Sequence, residues 1–140
     1  MKILYTTEST STGGREGKSA STDGRLSVTL STPKELGGAG GPGTNPEQLF
    51  ASGYSACFLG ALKFVAAKAK VALPAETTVT AKVGIGPRDD GTGFGIEADL
   101  AITAPGVERA TLEQLVQQAH IVCPYSHATR GNIRVGLQVL

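Results

Sequence analysis

Apolar and polar residues alternate with a period of two over three N-terminal stretches, 2–8, 17–22 and 25–31, the last placing Leu26, Val28 and Leu30 on one face. This pattern predicts strands in a meander, with Asp23-Gly24 as a hairpin turn. Residues 37–43, Gly-Gly-Ala-Gly-Gly-Pro-Gly, read as a loop. They carry no Gly-Lys-Ser/Thr sequence, which excludes a phosphate cradle. Asn45-Pro46-Glu47 then opens a helix: Asn caps free amides, Pro suits the first helical position, and Glu faces the positive end of the dipole. The helix is predicted to run to Lys70, about 36 Å at ~1.5 Å per residue. From Leu49 to Leu62 it bears no charge on any face. A helix apolar all round has to be covered all round, and a small meander plus one more sheet is too little cover. The expectation is therefore an obligate homodimer.

Two further alternating strands are predicted at 77–86 and 94–103, joined by a turn at Asp89-Asp90-Gly91. A second helix is predicted from Thr111, with Leu112, Leu115, Val116, Ala119 and Val122 on one side and Pro124 ending it. A last strand at 133–140 alternates through Ile133, Val135, Leu137 and Val139. Three strands, a long helix, two strands, a helix and a strand make an α+β fold. Neither an internal repeat nor a linker breaks it, so residues 1–140 are expected to form one domain.

Composition narrows the functional classes. Apolar residues make up 40% of the 140, charged residues 18%, and the net charge is +1. These are the proportions of an ordinary globular protein. The lack of a basic block argues against a nucleic-acid or anionic-membrane partner. The opening Met-Lys-Ile-Leu-Tyr-Thr-Thr lacks the apolar core and cleavage site of a signal peptide. Lys63, Lys68 and Lys70 interrupt the longest apolar stretch, which is not expected to span a bilayer. A cytoplasmic address is the expectation. There, a Cys pair is more often catalytic or metal-binding than a structural staple.

The two cysteines sit in contrasting settings. Cys57 lies inside the apolar helix, and Cys123 sits just before the helix-ending Pro124. A thiol reacts as thiolate, and an ordinary Cys of pKa ~8.5 is only about 3% ionised at pH 7. Cys123, at a helix C-terminus, faces the negative end of a dipole. Cys57 gets no dipole help in mid-helix, and burial raises its pKa, so it needs a cation. Lys63 and Lys68 of its own helix are six and eleven residues on, neither at the i+3 or i+4 spacing that brings side chains together. The cation has to come from elsewhere; without one, Cys57 is an inert core thiol. A metal reading stands beside this: His120, Cys123 and His127 give His-x2-Cys-x3-His, with Cys57 as a possible fourth ligand. Against it, His127 follows the helix break and no Cys-x2-Cys accompanies the set. Packing at the surface is the ordinary role for both histidines. No Gly-x-Ser-x-Gly elbow is present for a serine nucleophile.

Three segments together resemble the organic hydroperoxide resistance (Ohr) proteins of the Ohr/OsmC family. They are Asn45-Pro-Glu-Gln-Leu-Phe-Ala-Ser-Gly-Tyr-Ser-Ala-Cys-Phe58, then Val122-Cys-Pro-Tyr-Ser126 continuing through Ala128-Thr-Arg-Gly-Asn-Ile133, and Gly13-Gly-Arg15-Glu-Gly17. His127 departs from the family pattern, which has Asn there. The resemblance implies an OsmC-like fold: an intertwined homodimer with antiparallel sheets wrapped around long central helices. It implies Cys57 as peroxidatic thiol, Cys123 as resolving thiol, Arg15 as thiolate partner and Glu47 as the carboxylate holding that arginine. It implies a cysteine-based peroxidase acting on organic hydroperoxides through a Cys57–Cys123 disulfide, with no bound cofactor. A lipoyl-type dithiol, free or on a lipoylated protein, is the implied reductant. Arginine suits the role of the missing cation because it does not lose its proton, and Glu47 can hold it through a two-point pair. In a straight helix, however, Glu47 and Cys57 are about 15 Å apart along the axis. The two serve one site if Arg15 bridges a long reach, if the helix bends, or if Glu47 comes from the partner; the last is the expectation.

Overall fold

The computed structural model describes Met1–Leu140. The chain divides into two compact units, Met1–Leu49 and Phe50–Leu140. The first carries an antiparallel sheet of three short strands, β1 (Ser9–Thr12), β2 (Lys18–Ser21) and β3 (Ser27–Thr29), in that order. β1 pairs with β2 from Ser9↔Ser21 to Thr12↔Lys18, and β2 with β3 from Lys18↔Thr29 to Ala20↔Ser27. The predicted turn at Asp23-Gly24 joins β2 to β3, where the Asp23 carboxylate accepts from the Arg25 amide and the Ser21 hydroxyl. The predicted strand at 2–8 is not one in this chain. Residues 1–8 pair with nothing regular, and Ile3, Leu4 and Tyr5 are exposed. The first strand lies instead in the Ser/Thr run that follows. Alternation reports a side chain's liking for a half-buried sheet face, but a strand also needs a partner edge, and this chain offers none to residues 2–8.

The long helix, α1, spans Pro46–Lys68. Its start follows the sequence signal: the Asn45 side chain accepts from the Gln48 amide at 2.8 Å, a cap worth ~1 kcal/mol. It ends two residues short of the expected Lys70, which takes a left-handed conformation (φ 57°). One stripe of α1, comprising Tyr54, Phe58, Ala61, Leu62, Val65 and Ala66, is buried. Ser52, Ala56, Gly60 and Phe64, four residues apart, lie exposed on another. By length and mean hydropathy (1.4 over its most apolar window) α1 is long and apolar enough to cross a bilayer, despite Lys63 and Lys68. Its buried stripe packs instead into the core of the second unit.

That core lies against a second sheet, ordered β4 (Thr78–Pro87), β5 (Phe94–Thr103), β6 (Val135–Val139). β4 and β5 form a ten-residue antiparallel ladder. β6 runs parallel to β5, from Ala98↔Val135 to Ile102↔Val139, so the sheet is mixed rather than antiparallel throughout. Parallel neighbours require a crossover. It is supplied by α2 (Arg109–Val122) and a short α3 (Pro124–Thr129). α2 starts two residues before the expected Thr111 because the Glu108 carboxylate caps the amides of Ala110 and Thr111. Leu112, Leu115, Val116 and Ala119 bury the predicted face of α2 against α1 residues, Leu100 and Ile102 in one apolar cluster, while Val122 is 45% exposed. Pro124 does more than stop α2: it takes the first position of α3, where its missing amide costs nothing.

Candidate active site

The candidate residues fall into two arrangements, one in each unit. In the first unit, Arg15 occupies a 3-10 turn (Gly14–Glu16) between β1 and β2. Glycine is required here. Gly13 and Gly14 are left-handed (φ 70° and 56°), and a Cβ on Gly17 would fall 1.7 Å from the Thr12 carbonyl oxygen. The Glu16 carboxylate ties the turn down by accepting from the Thr32 amide at 3.0 Å. From this turn the Arg15 guanidinium donates through Nη1 and Nη2 to both oxygens of Glu47, at 2.8 and 2.6 Å. The guanidinium holds the Glu47 carboxyl below its ordinary range, and the carboxylate in turn raises Arg15. Both charges are therefore fixed at neutral pH. Because they meet within one chain, arginine and carboxylate enter any site together. Arg15 stays 38% exposed against 15% for Glu47, leaving part of the guanidinium free for another anion.

In the second unit, Cys57 and Cys123, 66 residues apart in sequence, come together with their sulfurs 3.7 Å apart. Both are free thiols, Cys123 buried and Cys57 partly exposed. A disulfide bond is ~2.05 Å, so a small closing movement joins them. Cys57 projects from the middle of α1, whereas Cys123 is the junction residue, ending α2 and capping α3 with an extended backbone (φ −65°, ψ 124°). Cys123 thus stands between two opposed dipole ends, not solely at the negative one expected from sequence. Burial pushes the Cys57 thiol above its ordinary value; the Tyr125 backbone amide, directed at its sulfur, pulls the other way, and Cys123 adds to the upward push. None of these groups is a cation. Within its own unit the thiol has a second sulfur within reach but no cation among the groups that shift it.

The surroundings of the pair were not legible in the sequence. Tyr54, one turn before Cys57, is fully buried, and its hydroxyl lies 2.9 Å from that of Ser126 and 3.3 Å from that of Thr129. Phe50, Tyr54 and Tyr125 form an aromatic cluster with ring centroids 5.8–6.1 Å apart. Gly53 lets the Tyr125 ring lie on α1, since a Cβ there would stand 3.0 Å from the phenolic oxygen. Phe50 and Tyr54 are four residues apart on α1, but their meeting with Tyr125 is a contact between distant residues that no local signal marks.

The metal reading fails on geometry. No group of three His, Cys, Asp or Glu side chains is placed to hold a metal ion. The Cys123 thiol is taken up with Cys57, His127 is exposed, and the His120 ring packs near Phe58 at 6.5 Å between centroids. His120 Nδ1 is buried without a partner, and burial together with the Arg130 charge lowers its pKa.

The chain is thus an α+β protein in which two free thiols from separate segments face each other. Comparison gives the family. Residues 37–138 match the OsmC-like protein family. The organic hydroperoxide resistance protein of Xanthomonas axonopodis pv. citri is 59% identical over 136 residues, covering 97% of this chain and 94% of its own. A crystal structure of an organic hydroperoxide resistance protein from Elizabethkingia anophelis, 53% identical, superposes with a TM-score of 0.92 over 99% of this chain and 98% of that one. OhrB of Bacillus subtilis, 39% identical, gives 0.91 over 99% and 100%. The chain belongs to the Ohr/OsmC family, in its organic hydroperoxide resistance branch.

Proposed function

We propose that this protein is a thiol-dependent peroxidase that reduces organic hydroperoxides to alcohols. The observation that carries the reading is the 3.7 Å approach of Cys57 to Cys123, two free thiols 66 residues apart in sequence. The names of its relatives, organic hydroperoxide resistance proteins, supply the substrate class. In the first step the Cys57 thiolate attacks the outer oxygen of ROOH. The O–O bond breaks, the alkoxide leaves and takes a proton, and Cys57 becomes a sulfenic acid, oxidised by two electrons. In the second, the Cys123 thiol attacks that sulfur: an S–S bond forms, the S–O bond breaks, and water departs with the Cys123 proton. An external dithiol, of lipoyl type, then exchanges with the disulfide and leaves both cysteines reduced.

The cation that Cys57 lacks within its own unit is Arg15, delivered with Glu47 in an intertwined homodimer. Support for a second copy comes from the exposed stripe of α1 and from the unpaired, alternating residues 2–8, a ready strand for another chain's sheet edge. Ionisation alone is a limited gain. Lowering an ordinary thiol pKa from ~8.5 to ~5.5 is worth ~4 kcal/mol yet raises the thiolate fraction at pH 7 only about 30-fold. Further acceleration has to come from charge stabilisation on the departing alkoxide, which a guanidinium also provides. The apolar neighbours Phe50, Phe58 and Leu59 favour alkyl or fatty-acid hydroperoxides over hydrogen peroxide. The working compartment on this reading is the cytoplasm. Mass spectrometry after one equivalent of cumene hydroperoxide tests the mechanism. The expected result is a Cys57–Cys123 bridge in the wild type and a lasting Cys57 sulfenic acid in Cys123→Ser; untouched thiols refute it.

A further inference from the structure

Cys57 is held by a long helix, but Cys123 is not: it is the extended junction between α2 and α3, so its direction depends on how α3 is seated. α3 has six residues, too few to be stable alone. Its buried positions are not apolar. They are Ser126 and Thr129, 0% and 6% exposed. Besides the Tyr125 ring lying on α1, α3 is seated through hydroxyls, which fix direction because a buried hydroxyl without a partner is costly. Thr129 Oγ1 is within hydrogen-bond reach of the Tyr125 and Ser126 carbonyls of its own helix. The Ser126 hydroxyl has one side-chain partner, the phenol of Tyr54 at 2.9 Å. Tyr54 precedes Cys57 by three residues on α1, and Ser126 follows Cys123 by three. The contacts Tyr54–Ser126 and Cys57–Cys123 are thus neighbouring rungs across the same two segments, one turn apart.

We propose that Tyr54 is the positioning residue of the thiol pair: its hydroxyl, through Ser126 and Thr129, seats α3 so that Cys123 is held in bonding range of Cys57. Under the peroxidase reading, on which this consequence rests, the Tyr54 phenol governs resolution of the sulfenic acid and leaves attack on the peroxide alone. With the hydroxyl removed, Cys123 spends less time in register, and the sulfenic acid survives longer and is open to over-oxidation.

The test does not require peroxide. Full-length protein is equilibrated in buffers of reduced and oxidised dithiothreitol, and the Cys57–Cys123 disulfide fraction gives the effective concentration of one thiol at the other. Tyr54→Phe and Ser126→Ala are each expected to lower it about tenfold, or ~1.4 kcal/mol, and the double variant by little more than either alone, since the two hydroxyls act as one contact. Leu115→Val, which loosens the core away from α3, is the control for general destabilisation and is expected to leave it unchanged. If Tyr54→Phe does not fold, Ser126→Ala carries the test. Unchanged effective concentration in the folded hydroxyl variants, or an equal fall in Leu115→Val, overturns the proposal. A wild-type pair that bonds in dithiothreitol but not with hydroperoxide leaves the positioning role standing and removes the peroxidase reading. A wild-type pair that never bonds removes both. With hydroperoxide, the sulfenic acid of Tyr54→Phe is expected to last about tenfold longer while its rate of formation stays the same.

Discussion

The charged pair and the thiol pair are built on opposite principles. Arg15 and Glu47 are fixed by backbone: a glycine-framed turn aims the guanidinium, a helix start presents the carboxylate, and a two-point ion pair locks them with much of the arginine still open to solvent. Cys57 and Cys123 are brought together by packing: their sulfurs stand 3.7 Å apart beside an aromatic cluster and buried hydroxyls, and burial pushes the Cys57 thiol above its ordinary value. The first half has charge without a nucleophile, and the second a nucleophile without charge. Under the proposed mechanism, reactivity belongs to neither half until the fold and its partner copy bring them together.

That contrast can be broken at either half. The largest effect is expected from Arg15→Ala, which removes both thiolate stabilisation and alkoxide stabilisation; stopped-flow peroxide consumption is expected to fall far more than 30-fold. A smaller loss reduces Arg15 to adjusting the Cys57 pKa. Gly17→Ala acts on the same half through backbone alone. Its Cβ meets the Thr12 carbonyl, so the turn has to move. A loss of ~2 kcal/mol or more in denaturant unfolding is expected, with peroxidase rate down by about tenfold or more and the dithiothreitol equilibrium of the thiols unchanged. A shift in that equilibrium shows that the halves are not independent. The ion pair also predicts an acid limit. Glu47 titrates below its ordinary 4.5 in the folded chain, so its contribution is complete above 4.5 and is lost as pH falls through the lowered value. Glu47→Gln is expected to flatten that part of the stability profile. The smallest effect belongs to His120. Its folded pKa lies below the ordinary 6.5, so protonation favours the unfolded chain. Stability is expected to decline as pH falls below 6.5, and His120→Phe to remove that slope.

Local chemistry in the sequence carried much of the fold. The Asn45-Pro46-Glu47 signal placed the start of α1 correctly, and period-two alternation placed β5 at Phe94–Thr103. Both depend on neighbours within a few residues. What failed depended on distant or absent partners. Residues 2–8 alternate as a strand does but find no edge in one chain, and Pro124 read as a stop because nothing local distinguishes an ending helix from a restarting one. At the site, helix spacing says only that α1 offers Cys57 no lysine at i+3 or i+4, and the roles of Arg15 and Glu47 are what the family resemblance implies. The Tyr54–Ser126 contact spans 72 residues and lies beyond any pattern read along the chain.

The placement of Cys123 where one helix stops and the next begins has a practical consequence for following the redox state. Joining the sulfurs asks for torsional adjustment at a single extended residue, so neither flanking helix has to unwind. Far-ultraviolet circular dichroism is therefore expected to be nearly blind to oxidation. Amide exchange around the Cys123 junction is the signal to watch.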